Sequence, residues 1–155
     1  VYIICSQSAS QDSETNLVSH FNVIERVEFQ KIPDPQATAT GGVPVIVLEA
    51  LSMRVTAVWM RESEDEVGLS YDVRMFIHLP DGTEKLLMEA QPVLFQKPSI
   101  QFHRVGLNLH GRPFNQSGIH RVECKIRPVD GDSWVSQDYP FQVVIEGNVP
   151  STSQG

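Results

Sequence analysis

Every odd-numbered residue from Val67 to Leu79 is apolar: Val67, Leu69, Tyr71, Val73, Met75, Ile77 and Leu79. The even positions between them are Gly68, Ser70, Asp72, Arg74, Phe76 and His78, mostly polar. A period of two over that length describes a β-strand with one buried and one wet face. The strand runs into Pro80-Asp81-Gly82-Thr83. There Pro presets the turn, Asp bonds its own backbone and Gly supplies a positive φ. A hairpin is expected, with a return strand over Glu84 to Phe95 that carries Leu86, Met88 and Ala90 on one face. Pro92 cannot donate to a sheet ladder, so this strand belongs at an edge or ends there.

The rest of the chain reads in the same way. Val1 to Ser6 is a short apolar strand, and Gln7 to Asn16 a polar loop. Leu17 to Phe29 alternates, with Leu17, Phe21, Val23, Val27 and Phe29 on one face, interrupted at Ser19 and Glu25 where a bulge fits. Lys31 to Gly42 contains Pro33, Pro35 and Gly41-Gly42 and is expected to be a long loop. Val43 to Arg61 resumes as strand, with β-branched Val55, Thr56 and Val58 outweighing the helical tendency of Glu49-Ala50-Leu51. In Ser99 to His110 the apolar parity switches near Arg104, which predicts a bulge or a bend between sheets. Ile119 to Arg127 turns Val122, Cys124 and Ile126 inward. Asp130-Gly131-Asp132 is a second hairpin turn. Val135 to Ile145 closes the domain, with Val135, Tyr139, Phe141, Val143 and Ile145 inside.

About eight strands separated by turn signals, with no convincing helix, predict an all-β, immunoglobulin-like antiparallel β-sandwich. A closed barrel is the second choice. Residues 1-147 form one expected domain and 148-155 a disordered tail. At 155 residues, 41% hydrophobic and 20% charged, the chain can bury a core without metals or disulfides. Its net charge of −7 disfavours nucleic acid and anionic membrane surfaces as partners. No apolar run approaches the roughly 18 residues of a membrane span. The start Val1-Tyr2-Ile3-Ile4-Cys5 lacks the basic residues and cleavage site of a signal peptide.

Several arrangements that carry chemistry are absent, or have simpler readings. His20, His78, His103, His110 and His120 form no local pair at metal-ligand spacing, so they read as surface or hydrogen-bonded side chains. The acidic tip Glu62-Ser63-Glu64-Asp65-Glu66, with Asp72, and the turn Asp130-Gly131-Asp132 lack the pattern of a calcium loop and read as solvated charge. Cys5 and Cys124 both fall in expected strands, so a sandwich disulfide is one alternative, but two Cys alone make no framework and they read first as small buried side chains; a buried thiol has a raised pKa and is inert. No Gly-x-Ser-x-Gly elbow and no phosphate-binding glycine loop occurs. Trp59 shares the apolar parity of its strand and belongs to the core. Trp134 lies off the parity of its strand and is a candidate exposed aromatic, although packing against a neighbouring loop is the more usual role of a lone Trp at a strand start. No catalytic, cofactor-binding or metal residue is therefore assigned.

The two ends of the chain carry a resemblance. Cys5 is followed by a polar loop with Asp12, then Thr15-Asn16, Ser19, Phe21-Asn22 and Glu25. Near the end, Gly118-Ile119-His120-Arg121-Val122 leads through Asp130-Gly131-Asp132 to Tyr139-Pro140-Phe141-Gln142-Val143. Together these segments, about half the chain, resemble a family of small uncharacterised bacterial proteins with an immunoglobulin-like β-sandwich fold. The resemblance implies that fold, a cytoplasmic setting with both cysteines as free thiols, and no catalytic residue. The expected function is a non-enzymatic binding or assembly module acting through edge strands, Glu84 to Phe95 first, or through end-loops. Its partner is another protein or a second copy of the chain. The alternative is a carbohydrate- or calcium-binding sandwich. Phe76, the one apolar residue on the even face of its strand, marks where an interface would lie if it is exposed.

Overall fold

The alternating segments pair into two sheets that share one core. The computed structural model describes residues 2–11, 18–30, 51–60, 63, 67–94, 102–112, 114 and 116–146. Among these residues there are nine strands and no helix. They are β1 (Tyr2–Gln11), β2 (Val18–Val23), β3 (Arg26–Gln30), β4 (Leu51–Met60), β5 (Ser70–His78), β6 (Glu84–Leu94), β7 (Phe102–Arg112), β8 (Gly118–Pro128) and β9 (Val135–Glu146). One sheet has the order β2-β1-β4-β7, the other β3-β9-β8-β5-β6. The expected tail, the loop Lys31 to Gly42, residues 43–50 of the third expected strand and the acidic residues of the tip Glu62 to Glu66 lie outside the described residues.

The expected alternation holds within β5, where Val73, Met75 and Ile77 are buried and Asp72, Arg74, Phe76 and His78 face outward, but not ahead of it: residues 67–68 form a turn and Leu69 is 47% exposed. At the turn, Gly82 has φ 85° and its N–H bonds the Leu79 carbonyl at 3.0 Å. The Asp81 carboxylate accepts from the Thr83 N–H at 2.8 Å. β6 pairs with β5 and, among the described residues, lies at the sheet's edge as Pro92 requires.

The core joins Ile3 and Cys5 of β1, Met53, Val55, Ala57 and Trp59 of β4 and Leu109 of β7 to the inner side chains of the other sheet. Those are Val73, Met75, Ile77, Val122, Cys124, Ile126, Phe141 and Val143. Burial of such alternating faces is the dominant favourable term for a chain of this kind.

Other expectations also need correction. β1 continues to Gln11 through the expected loop, because Ser8 to Gln11 find hydrogen-bonding partners in Phe21 to Val18. The run Leu17 to Phe29 is two strands in different sheets. Asn22 has φ 54°, Val23 faces solvent and Ile24 enters the core instead. Within the five-stranded sheet β3 runs parallel to β9, so the fold is not purely antiparallel. There is no bulge at Arg104: β7 pairs with β4 in unbroken register from Phe102 to Leu109, and Phe102 simply occupies the outer face. Leu86 does not share a face with Met88. The register shifts between Met75 and Phe76, so Met88 pairs with Met75 while Leu86 pairs with outward Phe76. Val135, at the start of β9, is exposed, not inside.

Candidate functional site

The richest collection of polar side chains lies on the outer face of the five-stranded sheet. Pairing of β5 with β8 sets Asp72 beside Arg127, Arg74 beside Lys125, Phe76 beside Glu123 and His78 beside Arg121. β6 adds Glu84 and Glu89, and β9 adds Ser136 and Asp138. Asp72 with Arg127 and, across β5 and β6, Arg74 with Glu89 bring opposite charges together, an arrangement that stabilises a sheet face, whereas Arg74 and Lys125 are like-charged neighbours.

At one end His78 Nε2 lies 2.7 Å from Glu123 Oε2 and 3.7 Å from Glu84 Oε2. Lys125 Nζ is 3.3 Å from the same Glu123 oxygen and 3.8 Å from the Glu84 oxygen. Burial works to raise the Glu123 carboxyl, but hydrogen bonds from His78, Lys125 and Ser136, with the Lys125 charge, outweigh it and hold the group below its ordinary value. An ionised carboxylate only accepts, so His78 Nε2 carries the proton in this contact. His78, Arg121, Glu123, Ser136 and Asp138 line an open recess of about 260 Å³.

One imidazole and two carboxylates form a ligand set suited to zinc. The Lys125 ammonium already sits against both carboxylates, however, and a metal ion would have to displace it. Nor does the recess hold an activated nucleophile. Ser136 donates to Glu123, and the proton on His78 Nε2 is directed at that carboxylate, so no base is aimed at the hydroxyl. The cluster is satisfied within itself.

Farther along the face, Arg127 donates from Nε and Nη2 to Asp72 Oδ2, both at 3.1 Å. Arg74 Nε donates to Glu89 at 2.8 Å. Both guanidinium groups also lie on the Trp134 ring, 5.2 Å (Arg74) and 4.7 Å (Arg127) from its centroid. Trp134 is thus half-buried and packed, though against two guanidinium groups of the sheet face and not free in solvent. Phe76 is half-buried under the Lys125 ammonium, 4.7 Å from the ring centroid. Leu86 beside it is 51% exposed.

The remaining candidates are placed as follows. Cys5 and Cys124 are buried free thiols, each pushed up to about 12 by burial, Cys124 also by the Glu123 charge. Trp59 is in the core. His20 is half-buried, with Nδ1 3.4 Å from Ser6 Oγ. His103 is half-buried, and burial lowers its imidazole below the usual value. The side chain of His110 lies outside the described residues. Asp130-Gly131-Asp132 forms the expected turn, with the Gly131 N–H on the Pro128 carbonyl at 2.9 Å.

Sequence reasoning treated His78 as isolated. The β5–β6 hairpin alone sets it opposite Glu84, a relation readable from the turn at Asp81-Gly82. Glu123 arrives only through the pairing of β5 with β8, which no local signal announces.

The outer face of the four-stranded sheet differs in character. Tyr2, Met60 and Phe102 are 50%, 57% and 46% exposed. Met60 pairs with Phe102, and Tyr2 pairs with Val58, two residues from Met60 on the same face. Arg104 completes the row beside Val58.

Comparison of the chain with protein-family models, with curated proteins and with solved structures gives no match. No helix among the described residues is long and apolar enough to cross a membrane.

Proposed function

We propose that the chain is an immunoglobulin-like sandwich serving as a non-enzymatic assembly module, with the end of the four-stranded sheet's outer face that carries Tyr2, Met60 and Phe102 as its docking surface; farther along that face Ser6, Thr56 and Val58 are buried. The observation that carries this reading is the exposed apolar row of Tyr2, Met60 and Phe102. Three large apolar side chains together on one sheet face are the kind of patch that interfaces use. Its rim contains Arg104, a residue type enriched at such surfaces. The opposite, five-stranded face has its charges paired internally and offers fewer free groups.

The edge strand β6 is a weaker candidate for docking. Glu84, Lys85 and Glu89 line it, Pro92 removes a donor, and two register shifts distort it. Those are devices that guard an edge against strand addition. Nor does Trp134 suit a sugar, since two guanidinium groups already lie on its ring.

The partner we propose is a second copy of the chain. Sedimentation velocity from about 1 to 100 μM tests it, a range that brackets micromolar self-association. A concentration-dependent dimer that Met60→Lys abolishes is the supporting result. A monomer throughout, or a dimer indifferent to Met60→Lys, refutes the reading.

A further inference from the structure

Among the described residues four buried polar side-chain atoms have no hydrogen-bond partner: Arg54 Nε, Thr56 Oγ1, Trp59 Nε1 and His120 Nε2. Trp59 and His120 lie inside, His120 fully buried with its ring stacked on the core residue Phe141. Arg54 and Thr56 differ from these. Both stand on β4, on the outer face of the four-stranded sheet, beyond the apolar row of Tyr2, Met60 and Phe102.

Pairing with β7 sets Arg54 beside Asn108, Thr56 beside Gly106 and Val58 beside Arg104. The missing side chain at Gly106 lets the Arg54 guanidinium lie across that strand next to Thr56, since a Cβ there would stand 2.6 Å from Arg54 Nη2. Nη1 of the same group donates to Asn108 Oδ1 at 3.2 Å. Nε and Nη2 form the edge through which a guanidinium grips an oxyanion with two parallel N–H bonds. Among the described residues that edge has no acceptor.

From the far side of the sheet His20 reaches over β1, with Nδ1 3.4 Å from Ser6 Oγ, and Ser6 pairs with Arg54. Burial, and then the charges of Arg54 and Arg104, hold the His20 imidazole below its ordinary value, so both guanidinium groups lie near that ring. Arg26, Arg74, Arg121 and Arg127 each have a carboxylate within 4.0 Å. Arg54 and Arg104 have none among the described residues, in a chain whose net charge is −7. Like charges gathered without a counter-charge repel, and a buried hydroxyl without a partner is destabilising. A single oxyanion relieves both. The way in is open on one side, because Gly106 and Asn108 are exposed and Arg54, Arg104 and His20 only half-buried.

We propose that Arg54, Arg104 and the Thr56 hydroxyl bind a phosphate group, with His20 beside them. The donor set suits a tetrahedral ion better than a carboxylate. Nε and Nη2 of Arg54 engage two oxygens, and Thr56 and Arg104 donate to a third, which a carboxylate lacks. A phosphate monoester or free phosphate also brings close to two negative charges at neutral pH, matching the two guanidinium groups. The ligand is a small ion, since the chain's net charge opposes a polyanion.

Titration of the isotope-labelled full chain with inorganic phosphate, followed by NMR at constant ionic strength with chloride as the balancing anion, tests the site. The Arg54 Nε–H signal and the Thr56 and Gly106 amides should shift and saturate with a Kd of about 1 mM or tighter. Arg54→Lys keeps the charge but loses the fork, and should weaken binding about tenfold. Thr56→Val should also weaken it about tenfold, yet leave the urea midpoint unchanged or higher, because it removes an unsatisfied hydroxyl. A second titration with O-phosphoserine separates the two sources: tighter binding than phosphate marks an ester as the ligand, weaker binding the free ion, and either supports the site. Four results overturn the proposal: no saturation by about 20 mM phosphate, equal affinity in Arg54→Lys, equal affinity in Thr56→Val, or shifts as large at the carboxylate-paired Arg26 and Arg121. Should Arg54→Lys fail to fold, Thr56→Val and the wild-type chain still decide.

Discussion

Trp134→Ala separates a structural role for this side chain from a ligand-binding one. Arg74 and Arg127 both lie on the indole ring, and each is also paired to a carboxylate, Glu89 and Asp72. A partly exposed cation–π contact contributes about 0.5–1 kcal/mol, so two give about 1–2 kcal/mol. Lost packing of a half-buried indole adds about 1 kcal/mol, a fraction of the cost of truncating a fully buried aromatic. The sum is about 2–3 kcal/mol. For a chain of this length each kcal/mol lowers Tm by about 2–4 °C, so a fall of roughly 4–12 °C is expected. Urea unfolding followed by fluorescence measures it cleanly. The chain has 2 tryptophans, and with Trp134 gone the core residue Trp59 alone reports the transition. Trp134→Phe should recover about half the loss, since a phenyl ring keeps a weaker face for the same cations. A loss under about 0.5 kcal/mol in Trp134→Ala would refute the reasoning, because a ring that supports nothing is free to serve a ligand.

Two further outcomes follow from the titratable groups. Both thiols should resist a disulfide reagent at pH 8 in the native protein and react fully in denaturant, since burial raises Cys5 and Cys124 to about 12; rapid native labelling of either would contradict the buried placement. Global stability should fall on acidification from pH 7.5 to 5.5. Burial lowers His120 and His103, and burial with the Arg54 and Arg104 charges lowers His20, so below about pH 6.5 the unfolded chain binds more protons than the folded one. The stabilisation is complete above that value and drains away below it. His120, with no exposure, sets a slope of up to about 1.4 kcal/mol per pH unit, and the more exposed His20 and His103 add less. Equal urea midpoints at the two pH values would contradict this.

What the sequence made legible was local. The β5 alternation, the Asp81-Gly82 and Asp130-Gly131 turns and the inward faces of β8 and most of β9 rest on side-chain period and turn chemistry, which neighbouring residues set. The misreadings occurred where pairing decides. Leu17 to Phe29 alternates well enough to pass for one strand, yet the left-handed Asn22 lets Ile24 turn inward and the chain change sheets. Leu86 and Met88 share parity, and only the register shift opposite Phe76 parts them. The candidate sites divide in the same way. His78 facing Glu84 is a hairpin property, whereas Glu123 beside them and Arg54 across Gly106 depend on contacts between distant parts of the chain. The charge pairing of Trp134 was invisible for the same reason.

The passage from β2 to β3 has a consequence for how the molecule is made. Ile24 donates its N–H to the Cys5 carbonyl in one sheet, and the next residue, Glu25, accepts from the Gln142 N–H in the other, both at 2.8 Å. The third strand then pairs in parallel with the last, Arg26 with Gln142 through Gln30 with Glu146. That ladder closes a loop comprising most of the chain, the slow kind of contact to form. Among the described residues β3 has no partner in its sheet until β9 has left the ribosome. This passage between the sheets is therefore fastened only after β9 has emerged, and a chain truncated before β9 keeps that seam open.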